Sequence, residues 1–119
     1  MNLIIATDYT NLPGPRFRKQ GPFSGEEFRE SVLRPKFEEA REKGELLHID
    51  LDGGYGYGTS FLEEAFGGLA REYDPDTVLN SIELKSDEEP YQIEAIRGYI
   101  RDAKRGAKRV NATAPSVRS

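Results

Sequence analysis

Apolar positions recur along the chain with two different periods, and the switches between them mark out the elements. Leu3-Ile-Ile-Ala6 is a short apolar run suited to a strand. Asn11-Leu-Pro-Gly-Pro15 then signals a turn before Arg16-Phe-Arg-Lys19, which together predict an irregular hairpin. Pro13 and Pro15 cannot donate to a ladder, so that end of the hairpin belongs at a sheet edge or outside it. From Ser24 the period becomes helical, with Phe28, Val32, Leu33, Phe37 and Ala40 on one side. Ser24 and Glu27 have the spacing of a reciprocal capping box, and Phe23 that of a staple onto Phe28. Pro35 predicts a kink, and Gly44 the helix end.

The strand period returns at Leu46, Leu47, Ile49 and Leu51, and Gly53, Gly54, Gly56 and Gly58 break it. Leu62, Ala65, Phe66 and Leu69 then fall on one side of a second helix, for which Ser60 is the expected N-cap and Glu63 its capping-box partner. Tyr73-Asp-Pro-Asp76 reads as a turn, and Val78, Ile82 and Leu84 as a strand over 78–85. Ser86, Glu89 and Pro90 open a last helix whose buried side is Ile93, Ile96, Ile100 and Ala103. Hairpin, helix, strand, helix, strand, helix predicts an α/β fold with a mixed sheet of about four strands packed with three main helices. Its strand-helix-strand units are expected to cross over right-handed. The length fits one domain, 1–104, followed by a basic tail, 105–119, with no periodic apolar residues and therefore expected to be disordered.

Composition narrows the function classes. The chain has no cysteine, which excludes disulfides and thiolate metal sites and points to a cytoplasmic protein. The N-terminus lacks the features of a signal peptide, and no apolar run reaches membrane-spanning length. The formal net charge is -4, yet from Arg97 onward seven basic residues face Asp102 alone, leaving an acidic body. Such a body argues against specific nucleic-acid binding.

The glycine-rich loop carries the candidate chemistry. Gly53-Gly-Tyr-Gly-Tyr-Gly-Thr-Ser60 matches a phosphate-binding loop at its first glycine, at Gly58 and at Ser60, but Thr59 stands where that loop has its lysine. A small phosphate- or nucleotide-binding protein is therefore the alternative reading. Asp50, Asp52, Glu63 and Glu64 are too weak a set for magnesium, and the lone His48 lacks a metal or relay partner, so no metal and no cofactor is expected. No base-nucleophile pair is identifiable, which argues against an enzyme. Ser60 has two roles open to it, helix cap and phosphoacceptor, since a phosphate there would face the free amides and positive end of the helix.

The strand Leu47-His-Ile-Asp-Leu51, the glycine turn and Thr59-Ser-Phe-Leu62 resemble the STAS domain shared by sulphate transporters and anti-sigma-factor antagonists. More specifically, Gly21-Pro-Phe-Ser-Gly-Glu-Glu-Phe-Arg29 with Ser60-Phe-Leu-Glu-Glu-Ala-Phe-Gly67 resembles the bacterial STAS-like family of unknown function, over about Arg16 to Ile100. In the antagonists a helix opening Asp-Ser-Ser-Gly-Leu is phosphorylated at its second serine by an ATPase-kinase. By position that serine is Ser60 and the one before it Thr59, while Gly58 replaces the aspartate and Phe61 the glycine. The resemblance implies a regulatory protein-interaction module partnered with a histidine-kinase-type ATPase or a transcription regulator. Its docking loop and helix would comprise Gly53, Gly54, Tyr55, Gly56, Tyr57, Gly58, Phe61 and Glu64, with Ser60 and Thr59 as phosphoacceptor candidates.

Overall fold

Three short strands, β1 (Asn2–Ile4), β2 (Leu47–Asp50) and β3 (Ile82–Lys85), lie side by side in that order in the computed structural model, which describes residues 1–103. Both pairings are parallel, with Leu3 opposite Ile49 and Ile49 opposite Leu84. Successive strand residues point to opposite faces. Leu3, Leu47, Ile49 and Ile82 are therefore buried together, while Asn2, Ile4, His48, Glu83 and Lys85 emerge on the other face. Phe28, Phe37, Phe61, Phe66, Leu69, Val78 and Ile96 from the helices complete the core on the buried face.

The expected hairpin and the fourth strand are absent among the described residues, and the sheet is wholly parallel rather than mixed. After β1 the chain turns into a single helical turn, α1 (Ile5–Asp8), because the Asp8 carboxylate accepts from the Ile4 N–H at 2.8 Å. The returning segment pairs locally instead of with the sheet. Gly14 N–H donates to Phe23 O, Gly25 N–H to Pro15 O and Glu26 N–H to Arg16 O, and Arg18–Gln20 forms a 3-10 turn. With Pro13 and Pro15 withholding donors, this stretch has too few N–H groups to form a strand.

Helix α2 covers 25–42 in three parts: Gly25–Phe28 (α), Arg29–Leu33 (π) and Arg34–Glu42 (α). Ser24 caps it by accepting from Glu27 N–H at 3.0 Å. The Glu27 carboxylate accepts from the Tyr9 hydroxyl, and Tyr9 packs against both Phe23 and Phe28, taking the place of the expected staple. The break expected at Pro35 is a π-helical turn just before it, which accommodates the missing N–H without ending the helix. Gly44 follows the end with φ +69°.

Helix α3 covers 59–72, with its own π-helical turn at Glu63–Gly67. The expected strand over 78–85 is reduced to β3, because Asp74 caps a short helix, α4 (Pro75–Ser81), accepting from Thr77 N–H and Oγ1 while Pro75 occupies its first turn. Aspartate before proline is a start signal, and it overrides the rough alternation of Val78 with Ile82. The chain ends its described part with α5 (Tyr91–Asp102), so among the described residues five helices replace the expected three main ones. The expected tail over 105–119 lies outside the described residues.

Candidate functional site

The glycine loop is held at both ends by neighbours that pattern reading does not pair with it. Leu51 N–H continues the β2–β3 ladder to Lys85 O, and Asp50 Oδ1 accepts from Asp52 N–H at 2.9 Å. Asp52 then organises the loop after β3: its carboxylate accepts from Asp87 N–H, Glu88 N–H and Lys85 Nζ, all within 3.0 Å. The Glu88 amide, the Lys85 ammonium and the Asp87 amide hold the Asp52 carboxyl down to about 2, and the carboxylates raise Lys85 in turn. Glu88 returns the link by accepting from Gly53 N–H at 2.9 Å. On the other side Tyr55 N–H donates to Asn11 O, so three loops meet here.

Gly53 and Gly56 have φ of +89° and +68°, the conformations that make glycine necessary at those two positions. Gly54 lies against the Tyr57 hydroxyl, where a side-chain Cβ would come within 2.5 Å of it. Tyr57 is only 9% exposed, and its hydroxyl has no hydrogen-bond partner among the described residues. Burial, and then Asp50 and Asp52, push that hydroxyl far up from its ordinary range.

Gly58, extended at φ -81° and ψ 153°, is the N-cap of α3, and Leu62 N–H donates to its carbonyl. Ser60 is therefore not the cap, and the expected Ser60–Glu63 box does not form. Thr59 and Ser60 occupy the first two helical positions, exposed, and the Ser60 hydroxyl makes no hydrogen bond among the described residues. Glu63 turns the other way, taking Arg16 at 2.6 Å and Arg71 at 2.7 Å. Burial opposes its ionisation, but Arg71 and Arg16 together hold its carboxyl below the usual range.

Of the residues expected on a docking surface, Tyr55, Gly56 and Gly58 are exposed, Gly53 and Gly54 partly so, and Tyr57, Phe61 and Glu64 are buried. The last three shape the surface from beneath. Phe61 stacks on Phe28 and packs against Tyr57. Glu64, 1% exposed, accepts from Arg29 Nη1 at 2.6 Å, while the same nitrogen reaches the Glu64 carbonyl at 2.7 Å inside the π-helical turn. Arg29 Nε and Arg34 both donate to Glu72, completing a charged seam between α2 and α3. The sequence held one signal of it. Counted from Phe61, Glu64, Ala65 and Gly68 complete the helical stripe, a carboxylate on a buried side.

The remaining candidates separate. His48 pairs through Nδ1 with Glu83 at 2.8 Å on the open sheet face, on the side away from the helices. Among the described residues no group of three or more His, Asp or Glu side chains is arranged to hold a metal ion, and no helix is long and apolar enough to cross a membrane.

A family model described as a STAS-like domain of unknown function (DUF4325) matches residues 24–92, more than half of the chain. The match begins at the Ser24 cap and spans α2, the glycine loop, α3 and β3. No curated protein and no solved structure matches.

Proposed function

This chain belongs to the STAS-like domain family of unknown function, and from that premise we propose that it is a non-enzymatic regulatory module that docks a protein partner through the glycine loop and the start of α3. The observation that carries the reading is that the fold does not use the Ser60 hydroxyl: Gly58 caps the helix, and Ser60 stands exposed beside Thr59 at its positive end. A phosphate at Ser60 would lie among free helix amides and would change the charge of the docking surface, which makes Ser60 the switch residue and Thr59 the secondary acceptor. An ATPase-kinase is the partner class that the resemblance to the anti-sigma-factor antagonists implies.

The alternative of a nucleotide-binding loop is less well supported. Gly53 N–H is already taken by Glu88, and Asp50, Asp52 and Glu88 surround the loop with negative charge that no lysine offsets at Thr59. Titration with ATP and GTP in the presence of magnesium tests it directly, with no saturable binding expected.

Photo-crosslinking in the native cells tests the docking reading. A crosslinker at Tyr55 is expected to capture a partner that one at exposed Glu42, at the far end of α2, does not, and mass spectrometry is expected to find phosphate on Ser60. Equal capture from both positions, together with unmodified Ser60 in every growth phase, would overturn the reading.

A further inference from the structure

The carboxyl ends of the strands gather an excess of negative charge. Asp50, Asp52, Asp87, Glu88 and Glu89 stand there with Lys85, whose ammonium is 2.9 Å from Asp52, 3.1 Å from Asp87 and 3.9 Å from Asp50. One ammonium among five carboxylates leaves the rim strongly negative. Two exposed aromatic side chains border it: Tyr55 in the glycine loop, 66% exposed, and Tyr91 at the first turn of α5, 65% exposed. The bond from Gly53 N–H to Glu88 ties these two margins together. Beneath the loop lies the Tyr57 hydroxyl, buried, unpartnered and within the field of the same carboxylates.

We propose that this rim receives an arginine-bearing segment of the partner protein. The inference rests on the docking reading above and names the chemistry of its partner. A guanidinium has the chemistry for each of the three features. It pairs with carboxylates through two parallel N–H groups, stacks on an exposed tyrosine ring, and can donate to a phenolic oxygen that has no other partner. Lysine offers a point charge without the planar stacking, and an acidic or neutral segment meets only repulsion or an uncompensated excess of negative charge. Tyrosine and arginine are also the residues that dominate binding energy in well-packed interfaces. Reaching the Tyr57 oxygen requires Gly54, which lies against it between two glycines of positive φ, to move aside.

The test is an NMR titration of the full chain with three short peptides in which serine alternates with arginine, lysine or glutamate. The arginine peptide is expected to bind best, to shift residues Gly53–Tyr57 and Asp87–Tyr91, and to weaken as salt is raised. Tyr91→Ala is expected to weaken it about tenfold. Tyr57→Phe is the diagnostic variant. It removes a buried unpaired hydroxyl and so should raise the melting temperature of the free protein, yet it should lower affinity for the arginine peptide. Equal binding of lysine and arginine peptides, shifts spread along the charged side of α2, or unchanged affinity in both variants would overturn the proposal. Equivalent shifts produced by stoichiometric magnesium chloride would do so as well, by making the rim a cation site. If the arginine peptide fails while the Tyr55 crosslink still captures a partner, the docking reading stands and this inference falls; a bound peptide without a crosslinked partner overturns the docking reading and with it the partner to which the segment is assigned.

Discussion

Ser60 and Asp52 exchange the roles that their residue types suggest. Serine at a helix start usually caps, but glycine at position 58 already supplies the extended backbone and the carbonyl, so the Ser60 side chain is left over. Ser60→Ala is accordingly expected to change stability by less than about 0.5 kcal/mol in urea denaturation, where loss of a true cap would cost about 1 kcal/mol. Any larger effect of that variant in cells then belongs to recognition. Asp52, in contrast, is structural: three donors hold its carboxyl down to about 2, below the ordinary value near 4. A folded-state value below the unfolded one gives stability that is fully present above pH 4 and is lost as pH falls towards 2. The melting temperature is therefore expected to drop across that window. Asp52→Asn should melt lower at neutral pH and show a shallower acid dependence.

At the scale of elements, two helices are locked by their π-helical turns. The turn at Arg29–Leu33 in α2 and the turn at Glu63–Gly67 in α3 supply the two sides of the Arg29–Glu64 pair. Glycines provide the clearance. A Cβ on Gly68 would sit 2.4 Å from Arg29 Nη1, and one on Gly25 would sit 2.5 Å from the backbone carbonyl of Phe61. Both alanine variants should destabilise, and Gly25→Ala more, by about 2 kcal/mol, because a backbone oxygen cannot step aside as a side chain can. Removing one member of the buried pair by Glu64→Ala is expected to destabilise by less than the cost of a stranded buried charge, about 3–5 kcal/mol, since Arg29 keeps Glu72 and the Glu64 backbone carbonyl. The double variant Arg29→Met with Glu64→Leu should recover most of that loss in the same denaturation assay, which would show that the pair specifies the packing of α2 on α3 more than it stabilises it.

Among the described residues the molecule is a parallel sheet with helices on one side only. Parallel sheets are ordinarily covered on both faces. Here the second face carries Asn2, Ile4, His48, Asp50, Glu83 and Lys85, in a shallow depression of about 380 Å³, with cross-strand pairs taking the place of apolar packing. Two adjacent residues of β2 measure the asymmetry: Ile49→Ala should cost about 2–5 kcal/mol, and His48→Thr less than about 0.5 kcal/mol. Alternation made that difference readable from Leu47, His48, Ile49 and Asp50 alone, because strand period assigns faces before any partner is known. By the same local logic the sequence determined α2 with its Ser24 cap and Gly44 end, the β2–glycine loop–α3 unit, and Ile96 and Ile100 as buried positions of α5, while Ile93 is only partly buried. It also determined the family likeness, which rests on local motifs. Only the tertiary structure decided that β1 pairs parallel with β2, since strand partners lie far apart in sequence and a short apolar run is compatible with either direction. Asp52 became a brace for the loop after β3 and Glu64 a buried partner of Arg29 for the same reason. A carboxylate's role is set by the donors that folding brings to it, and those donors come from other elements.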